Sequence, residues 1–239
     1  MSEPKEFGPL ESTVHQIRGF YGNRINATNV FMPLSHYIPL AMQIQANLMT
    51  YRGVKNSKWP CDAWVYQEII HARNPSVIIE IGNQHGASTM MFMDYLTMYS
   101  DKPKCVIGVD IDHSQLYERA RGYAGIIWVE GDAVRQETVD EVAALLREDD
   151  EVMVIDDSNH EPEHTYQVLK RWSELASVGQ YCIVEDTILG TVVPKQHREY
   201  GADTAVRRFM QETDKFAIDG NQEKWFYTNN PGGFLVRIR

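Results

Sequence analysis

The sequence predicts an α/β fold built on a mostly parallel, doubly wound sheet. Two patterns carry this prediction. Short apolar runs alternate with longer amphipathic stretches through most of the chain, which is typical of strand–helix–strand units with right-handed crossovers. Near the C-terminus, FLVRIR follows a Pro-Gly-Gly turn, and a hairpin that ends a parallel sheet requires one antiparallel strand.

Five apolar runs are predicted as the parallel strands: SVIIEIG, CVIGVDID, IIWVEGD, EVMVIDDS and QYCIVEDT. They are short and apolar on both faces, as expected for strands that helices cover on both sides. Helices are predicted at Ser88 to Tyr99, ETVDEVAALLRE, HTYQVLKRWSELA and TAVRRFMQET. An earlier helix is predicted to start with Asp62 as its N-cap and to continue as AWVYQEIIHAR. WFYTNN and FLVRIR are predicted to form the hairpin.

The composition is that of a globular protein and excludes several classes of function. Of the 239 residues, 43% are hydrophobic and 23% are charged. The net charge of −10 disfavours nucleic acid as a partner. No apolar run approaches the roughly 18 residues of a membrane span, and no secretory signal is visible. Three widely spaced cysteines fit a reducing cytoplasm and lack the spacing of a metal finger.

The first part of the chain is the least regular. Residues 1–58 contain recurrent Gly, Pro and Asn and one apolar stretch, Tyr37 to Met49, that predicts a helix. We expect 1–58 to form an N-terminal cap that takes part in oligomerisation and substrate choice. Residues 59–239 are expected to form the ligand-binding domain.

Acidic residues fall at the ends of all five predicted strands. They are Glu80, Asp110, Asp132, the pair Asp156 and Asp157, and the pair Glu185 and Asp186. Because ligands of open α/β sheets bind beyond the carboxyl ends of the strands, these acids are expected to line one site.

The loop after the first strand predicts a nucleoside site. Glu80, Gly82 and Gly86 are followed by a helix at Ser88, and glycine allows close backbone approach to a ligand. The loop is not a G-x-G-x-x-G motif and has no basic residue for a pyrophosphate. A cationic nucleoside without phosphates suits it better, with Asp110 on the ribose and Asp132 on the adenine side; a purely structural turn is the alternative. The full candidate set is Glu80, Gly82, Asn83, Gly86, Ser88, Asp110 and Asp132.

A second group predicts a divalent metal site. Asp157, Glu185 and Asp186 would repel one another in a partly dry pocket unless a cation held them together, and oxygen ligands suit Mg²⁺. His160 is placed to accept a proton. The alternative is that Asp157 and Asp186 cap helices and that His160 is a solvated loop residue. A shift of one residue at the strand end would exchange Asp156 for Asp157.

These segments resemble the CmcI-type group, which includes rhamnosyl O-methyltransferases. The resemblance spans residues 58–239 through KWPCDAWVYQEII, NPSVIIEIGNQHGAS, VIGVDID, VIDDSNHEPEH, SVGQYCIVEDT and YTNNPGGFLVRIR. It implies a Rossmann-like class I methyltransferase fold, S-adenosylmethionine and a divalent metal. It also implies metal-ligand roles for Asp157, Glu185 and Asp186 and a base role for His160. The family often has Gly-Gly-Ser where this chain has Gly86-Ala87-Ser88.

The resemblance therefore implies a Mg²⁺-dependent O-methyltransferase whose partner is a small molecule with a hydroxyl group. The acceptor is expected to be a sugar or glycosylated natural product of secondary metabolism such as antibiotic biosynthesis, and the protein is expected to be a homo-oligomer. Two alternatives remain open: an oxygenase component, and a non-catalytic partner protein that binds the cofactor. No 2-His-1-carboxylate set at convincing spacing supports the oxygenase, and a scaffold would not need the acidic triad.

Overall fold

The computed structural model describes residues 41, 45, 48–99, 104–192, 201–225 and 227–239. The chain divides into two compact units, Met1–Met49 and Thr50–Arg239. In the first, Ala41, Gln45 and Leu48 are helical; apart from Met49, the other residues of the helix predicted for Tyr37 to Met49 lie outside the described residues. Within the described ranges, no helix combines the length and apolar character needed to cross a bilayer.

The second unit is built on a seven-stranded sheet. With the two strands of a small antiparallel hairpin that precedes it, the strands are β1 (Thr50–Tyr51), β2 (Val54–Lys55), β3 (Val77–Ile81), β4 (Cys105–Asp110), β5 (Ile126–Glu130), β6 (Val152–Asp156), β7 (Tyr181–Val184), β8 (Phe216–Ile218) and β9 (Phe234–Arg237). The order in the seven-stranded sheet is β5-β4-β3-β6-β7-β9-β8. Strands β3 to β7 pair in parallel, whereas β9 is antiparallel to both of its neighbours. The predicted α/β fold with an antiparallel C-terminal strand is thereby confirmed.

Helices cover both faces of the sheet. They are α1 (Pro60–Arg73), α2 (Ala87–Tyr99), α3 (Glu118–Arg121), α4 (Gln136–Ala143), α5 (Pro162–Trp172), α6 (Leu189–Val192) and α7 (Ala202–Glu212). Side chains of β3 alternate between two apolar clusters: Ile79 packs with α4, α5 and α7, and Ile78 packs with α1 and α2. This burial on both faces explains why the strands read as continuous apolar runs.

The prediction that Asp62 caps α1 is wrong. The helix begins at Pro60 with Trp59 at the N-cap, and proline is pre-organised for the first helical position. Asp62 lies inside the first turn and is buried. Its carboxylate accepts hydrogen bonds from the Thr228 hydroxyl (2.5 Å) and the Asn229 backbone amide (2.9 Å).

These bonds also explain why the predicted hairpin is wrong. The described residues of WFYTNN form no strand; the strands that pair with β9 are β7 and β8, both earlier in the chain. Thr228 and Asn229 are instead held as a loop by Asp62. Tertiary hydrogen bonds thus override the β propensity of the aromatic residues in this segment.

Candidate active site

A cavity of about 630 Å³ opens beyond the carboxyl ends of the central strands. The loops after β3, β4, β5, β6 and β7 contribute to its lining, together with Lys55 at the end of β2 and residues 56–58 that follow it. Eight of the residues predicted from the sequence line it: Gly82, Asn83, Ser88, Asp110, Asp132, Asp157, His160 and Asp186. Glu80, Gly86 and Glu185 are buried and do not line it.

One end of the cavity is shaped by Asp110. Its two carboxylate oxygens accept hydrogen bonds from the backbone amides of Gln84 (2.8 Å) and Asp112 (3.3 Å), so the carboxylate is fixed but still half-exposed to the cavity. Nearby, the buried side chain of Asn83 pairs its Oδ1 with Nε2 of His113 at 3.0 Å. This end therefore offers an oriented carboxylate acceptor, which suits the hydroxyl groups of a ligand.

The two glycines of the first loop serve the packing of the protein itself. Gly82 and Gly86 have φ of +84° and +83°, a region that favours glycine. A Cβ at Gly82 would lie 2.2 Å from the carbonyl oxygen of Asp157, and one at Gly86 would lie 2.6 Å from the Cβ of Ala120. Both glycines therefore let other chain segments approach closely, and Gly82 brings the loops after β3 and β6 together.

On the other side of β3 from Asp110 lie the carboxyl ends of β6 and β7, whose loops form what we call the acidic end of the cavity. One donor atom each from Asp157, His160 and Asp186 lies within 4.8 Å of the others, a spacing that allows a shared metal ion. Nε2 of His160 is 3.4 Å from Oδ2 of Asp186. Asp157 does not cap α5, whose N-cap is Glu161.

Asp156 and Asp157 have different surroundings in the structure. Asp156 is buried and accepts hydrogen bonds from the backbone amide and hydroxyl of Ser158 at 3.2 and 2.6 Å. Burial raises the pKa of its carboxyl, opposed by Ser158. Only Asp157 of the pair lines the cavity.

Asp186 is held in an unusual backbone conformation. Its φ is +55°, which is uncommon for a residue with a side chain. The side-chain oxygen of Asn230, a residue of the loop before β9, accepts a hydrogen bond from the Asp186 amide at 2.8 Å. Burial raises the pKa of the Asp186 carboxyl, and the nearby His160 opposes that increase.

Lys58 is a site residue that sequence reasoning missed. Its side chain is only 3% exposed, and its ammonium donates to Asp157 Oδ2 at 2.6 Å and Glu185 Oε1 at 2.5 Å. Glu80 Oε1 lies 3.6 Å away. Although burial lowers the pKa of Lys58, the carboxylates of Asp157, Glu185 and Glu80 raise it above its ordinary value. Clustered acids are expected to need a cation between them, and the ammonium of Lys58 is such a cation.

Glu185 and Glu80 are buried beside Lys58 and do not line the cavity. Glu185 Oε1 also accepts from the Tyr66 hydroxyl at 2.7 Å. Burial and the charge of Asp157 raise the pKa of the Glu185 carboxyl well above its ordinary value, against the opposing effect of Lys58. Glu80 is fully buried and accepts from the Thr89 hydroxyl. Glu80 therefore belongs to the group of acidic residues around the Lys58 ammonium.

Comparison with known proteins places the chain among methyltransferases. The family described as Rhamnosyl O-methyltransferase/CmcI matches residues 43–238. A rhamnosyl O-methyltransferase of Mycobacterium leprae is 30% identical over 198 residues, which cover 80% of this chain and 84% of that protein. A protein of the same name from Mycobacterium tuberculosis is 29% identical over 191 residues, covering 79% and 78%.

Solved structures show the same fold. A CmcI structure with Mg and SAM superimposes with a TM-score of 0.63 at 22% identity, covering 100% of this chain and 88% of the other. An O-methyltransferase from Bacillus cereus in complex with SAH gives a TM-score of 0.53 at 14% identity, covering 84% and 88%.

Proposed function

Because the chain belongs to the rhamnosyl O-methyltransferase/CmcI family, we propose that it methylates a sugar hydroxyl with the aid of Mg²⁺. The coarser part of this statement follows from the family: the chain is an S-adenosylmethionine-dependent O-methyltransferase. The metal, the sugar and the roles of individual residues are the parts that we propose.

The observation that carries the proposal is the division of one cavity into two chemically different ends. Asp110 lines one part with a fixed carboxylate, and Asp157, His160 and Asp186 line another. Methyl transfer needs this combination, because the donor nucleoside and the activated hydroxyl must meet in line inside one pocket.

Asp110 is assigned to the ribose of S-adenosylmethionine. A carboxylate accepts hydrogen bonds from two vicinal hydroxyl groups, and the backbone amides of Gln84 and Asp112 hold it in position. Asn83 and Ser88 line the same cavity, as does Asp132, which is assigned to the adenine side. Gly82 and Gly86 support this loop by allowing close packing behind it.

The residues at the acidic end fit a divalent cation. Asp157 and Asp186 offer carboxylate oxygens within the spacing of a shared ion, and Mg²⁺ is commonly bound by one or two carboxylates with water and substrate completing its shell. Glu185 is the third predicted ligand. It does not line the cavity, and its Oε1 accepts hydrogen bonds from Lys58 and Tyr66. A bound Mg²⁺ would act as a Lewis acid that lowers the pKa of the acceptor hydroxyl.

His160 is assigned as the base. Nε2 accepts the proton of the acceptor hydroxyl, and the Asp186 carboxylate, 3.4 Å from that nitrogen, stabilises the resulting imidazolium. General-base catalysis of this kind contributes about 10²- to 10⁴-fold to a rate.

The acceptor is proposed from the relatives. Proteins named rhamnosyl O-methyltransferase match about four-fifths of this chain, which supports a rhamnose or related deoxysugar on a glycosylated natural product. The predicted roles of residues 1–58 in substrate choice and in a homo-oligomer are retained within this proposal.

Product mass tests the proposal. The purified protein is incubated with S-adenosylmethionine and a panel of rhamnosides, with Mg²⁺ or with EDTA. We expect a gain of one methyl group that requires the metal and is lost in Asp157→Asn, with the exposed Asp149→Asn as the matched control. A gain of one oxygen would instead indicate the oxygenase. Binding of S-adenosylhomocysteine without any product from the panel would favour the non-catalytic partner.

A further inference from the structure

Lys58 is the buried cation of the acidic end. Its ammonium donates one hydrogen bond to each of two carboxylates, Asp157 and Glu185, that lie 99 and 127 residues further along the chain. Oxygen Oε1 of Glu80 has no hydrogen bond within the described residues and faces the same ammonium at 3.6 Å. One ammonium therefore lies among three carboxyl groups, of which those of Glu80 and Glu185 are buried and that of Asp157 is partly exposed to the cavity.

The position of Lys58 is set by the chain around it. Its backbone amide donates to Oδ1 of Asn56 at 3.3 Å, and α1 begins two residues later. The preceding hairpin is attached to α2, because the Tyr51 hydroxyl and Nε of Arg52 both donate to Asp94, at 2.5 and 2.6 Å. Lys58 thus reaches the acids from a fixed point.

The hydrogen bonds from Lys58 and Tyr66 use only one oxygen of each of the two carboxylates, Asp157 and Glu185. Lys58 and Tyr66 both bind Oε1 of Glu185, and Lys58 binds Oδ2 of Asp157. No hydrogen bond from the described part of the chain reaches Oε2 of Glu185 or Oδ1 of Asp157. Lys58 therefore assembles the two carboxylates and still leaves oxygens for a second cation.

We propose that Lys58 is a resident counter-cation of the metal site, which keeps Asp157 and Glu185 together in the metal-free protein and weakens the binding of the divalent ion. This inference rests on the metal part of the proposed function. Buried carboxylates without a cation are costly, so Lys58 replaces the missing charge when the metal is absent. When the metal is present, the nearby ammonium repels it. Lys58 is a positioning residue, because it acts through the two carboxylates.

The test compares Lys58→Met with Lys215→Met. Both changes replace an ammonium that pairs with a glutamate by an apolar chain of similar length, but the pair of Lys215 and Glu174 is exposed. The melting temperature is measured in EDTA and with Mn²⁺, and Mn²⁺ affinity is measured by calorimetry. We expect Lys58→Met to melt well below the wild type in EDTA, to be stabilised more than the wild type by Mn²⁺, and to bind Mn²⁺ about tenfold more tightly or better. Lys215→Met should resemble the wild type in all three measurements.

A double variant keeps the test decisive if Lys58→Met does not fold without metal. Lys58→Met with Glu185→Gln removes one positive and one negative charge, so we expect it to recover part of the lost stability in EDTA. The proposal is overturned if Lys58→Met matches Lys215→Met in EDTA, if its Mn²⁺ affinity is unchanged or weaker, or if the double variant is no more stable than the single one. If the wild type binds no Mn²⁺, the metal part of the proposed function fails, and with it the part of the inference that concerns metal affinity. The EDTA comparison would then still report whether Lys58 holds the acids together.

Discussion

The side-chain oxygen of Asn230 accepts a hydrogen bond from the backbone amide of Asp186 at 2.8 Å. This contact joins the loop before β9 to a residue whose φ is +55°. Asn230 is completely buried, and Asn229 beside it is tied to Asp62 by its backbone amide. The C-terminal loop therefore sets the direction in which the Asp186 carboxylate faces the cavity.

The first prediction concerns this contact. Asn230→Ala leaves the Asp186 amide without its partner and frees the backbone from its left-handed conformation. We expect kcat to fall by about 10²-fold, the scale of a misplacement of about 1 Å, while the affinity for S-adenosylhomocysteine stays unchanged. Steady-state kinetics and calorimetry measure the two effects. Asn221→Ala, at an exposed position, is the matched control, and an unaltered kcat in Asn230→Ala would refute the role of the loop.

The second prediction concerns the nucleoside end. Asp110→Asn loses the charge that is assigned to the ribose hydroxyls, so we expect the affinity for S-adenosylhomocysteine to fall about 10- to 100-fold, as for hydrogen bonds to charged groups. Calorimetric titration checks this. Asp112→Asn is the control, because Asp112 is exposed and can still accept from the Ser114 amide after the change. Equal affinities in the two variants would remove Asp110 from the site.

The third prediction concerns the proposed base. His160→Gln removes the proton acceptor and leaves Asp157 and Asp186 in place. We expect the rate of methyl transfer to fall about 10²- to 10⁴-fold with little change in cofactor affinity, as measured in single-turnover experiments. His71→Gln, an exposed histidine on α1, should behave as the wild type. A fully active His160→Gln enzyme would require another base.

The fourth prediction concerns stability and pH. Burial raises the pKa of Asp62 from 3.8 to about 6 in the folded protein, although its bonds to Thr228 and Asn229 oppose the increase. Between these two values the folded state holds more protons than the unfolded state. The contribution of Asp62 to stability is therefore complete below pH 3.8 and decreases as the pH rises to about 6.

A shift of this size corresponds to about 3 kcal/mol. Urea unfolding of the wild type and of Asp62→Asn across this range measures the effect, since other buried acids contribute equally to both proteins. We expect the wild type to lose stability relative to the variant as the pH rises. Parallel curves would show that Asp62 does not titrate in this range.

The strands and acids of the site could be predicted because they depend on local patterns. Each parallel strand is an apolar run, and carboxyl ends of parallel strands meet at one edge. That rule predicts that Asp110, Asp157 and Asp186 lie close together, and in the structure all three line one cavity. It could not distinguish Asp156 from Asp157, because only the alternation of side chains about the strand end decides which of them faces inward.

Lys58 and the C-terminal loop could not be found in this way. Lys58 meets acids that are far away in the chain, and its own segment has no periodicity. The residues around Thr228 form a loop because a buried carboxylate on α1 binds them. For Lys58 one signal was available: clustered acids require a cation, and a lysine stands in the motif KWPCDAWVYQEII.

The central claim is that one cavity binds the methyl donor and a divalent metal at separate ends. Calorimetric titration with S-adenosylhomocysteine, with and without Mg²⁺, tests it most directly when the wild type is compared with Asp110→Ala and Asp157→Ala. We predict that Asp110→Ala loses nucleoside binding and that Asp157→Ala retains it but no longer responds to Mg²⁺. A wild-type protein that binds no S-adenosylhomocysteine under either condition would contradict the claim.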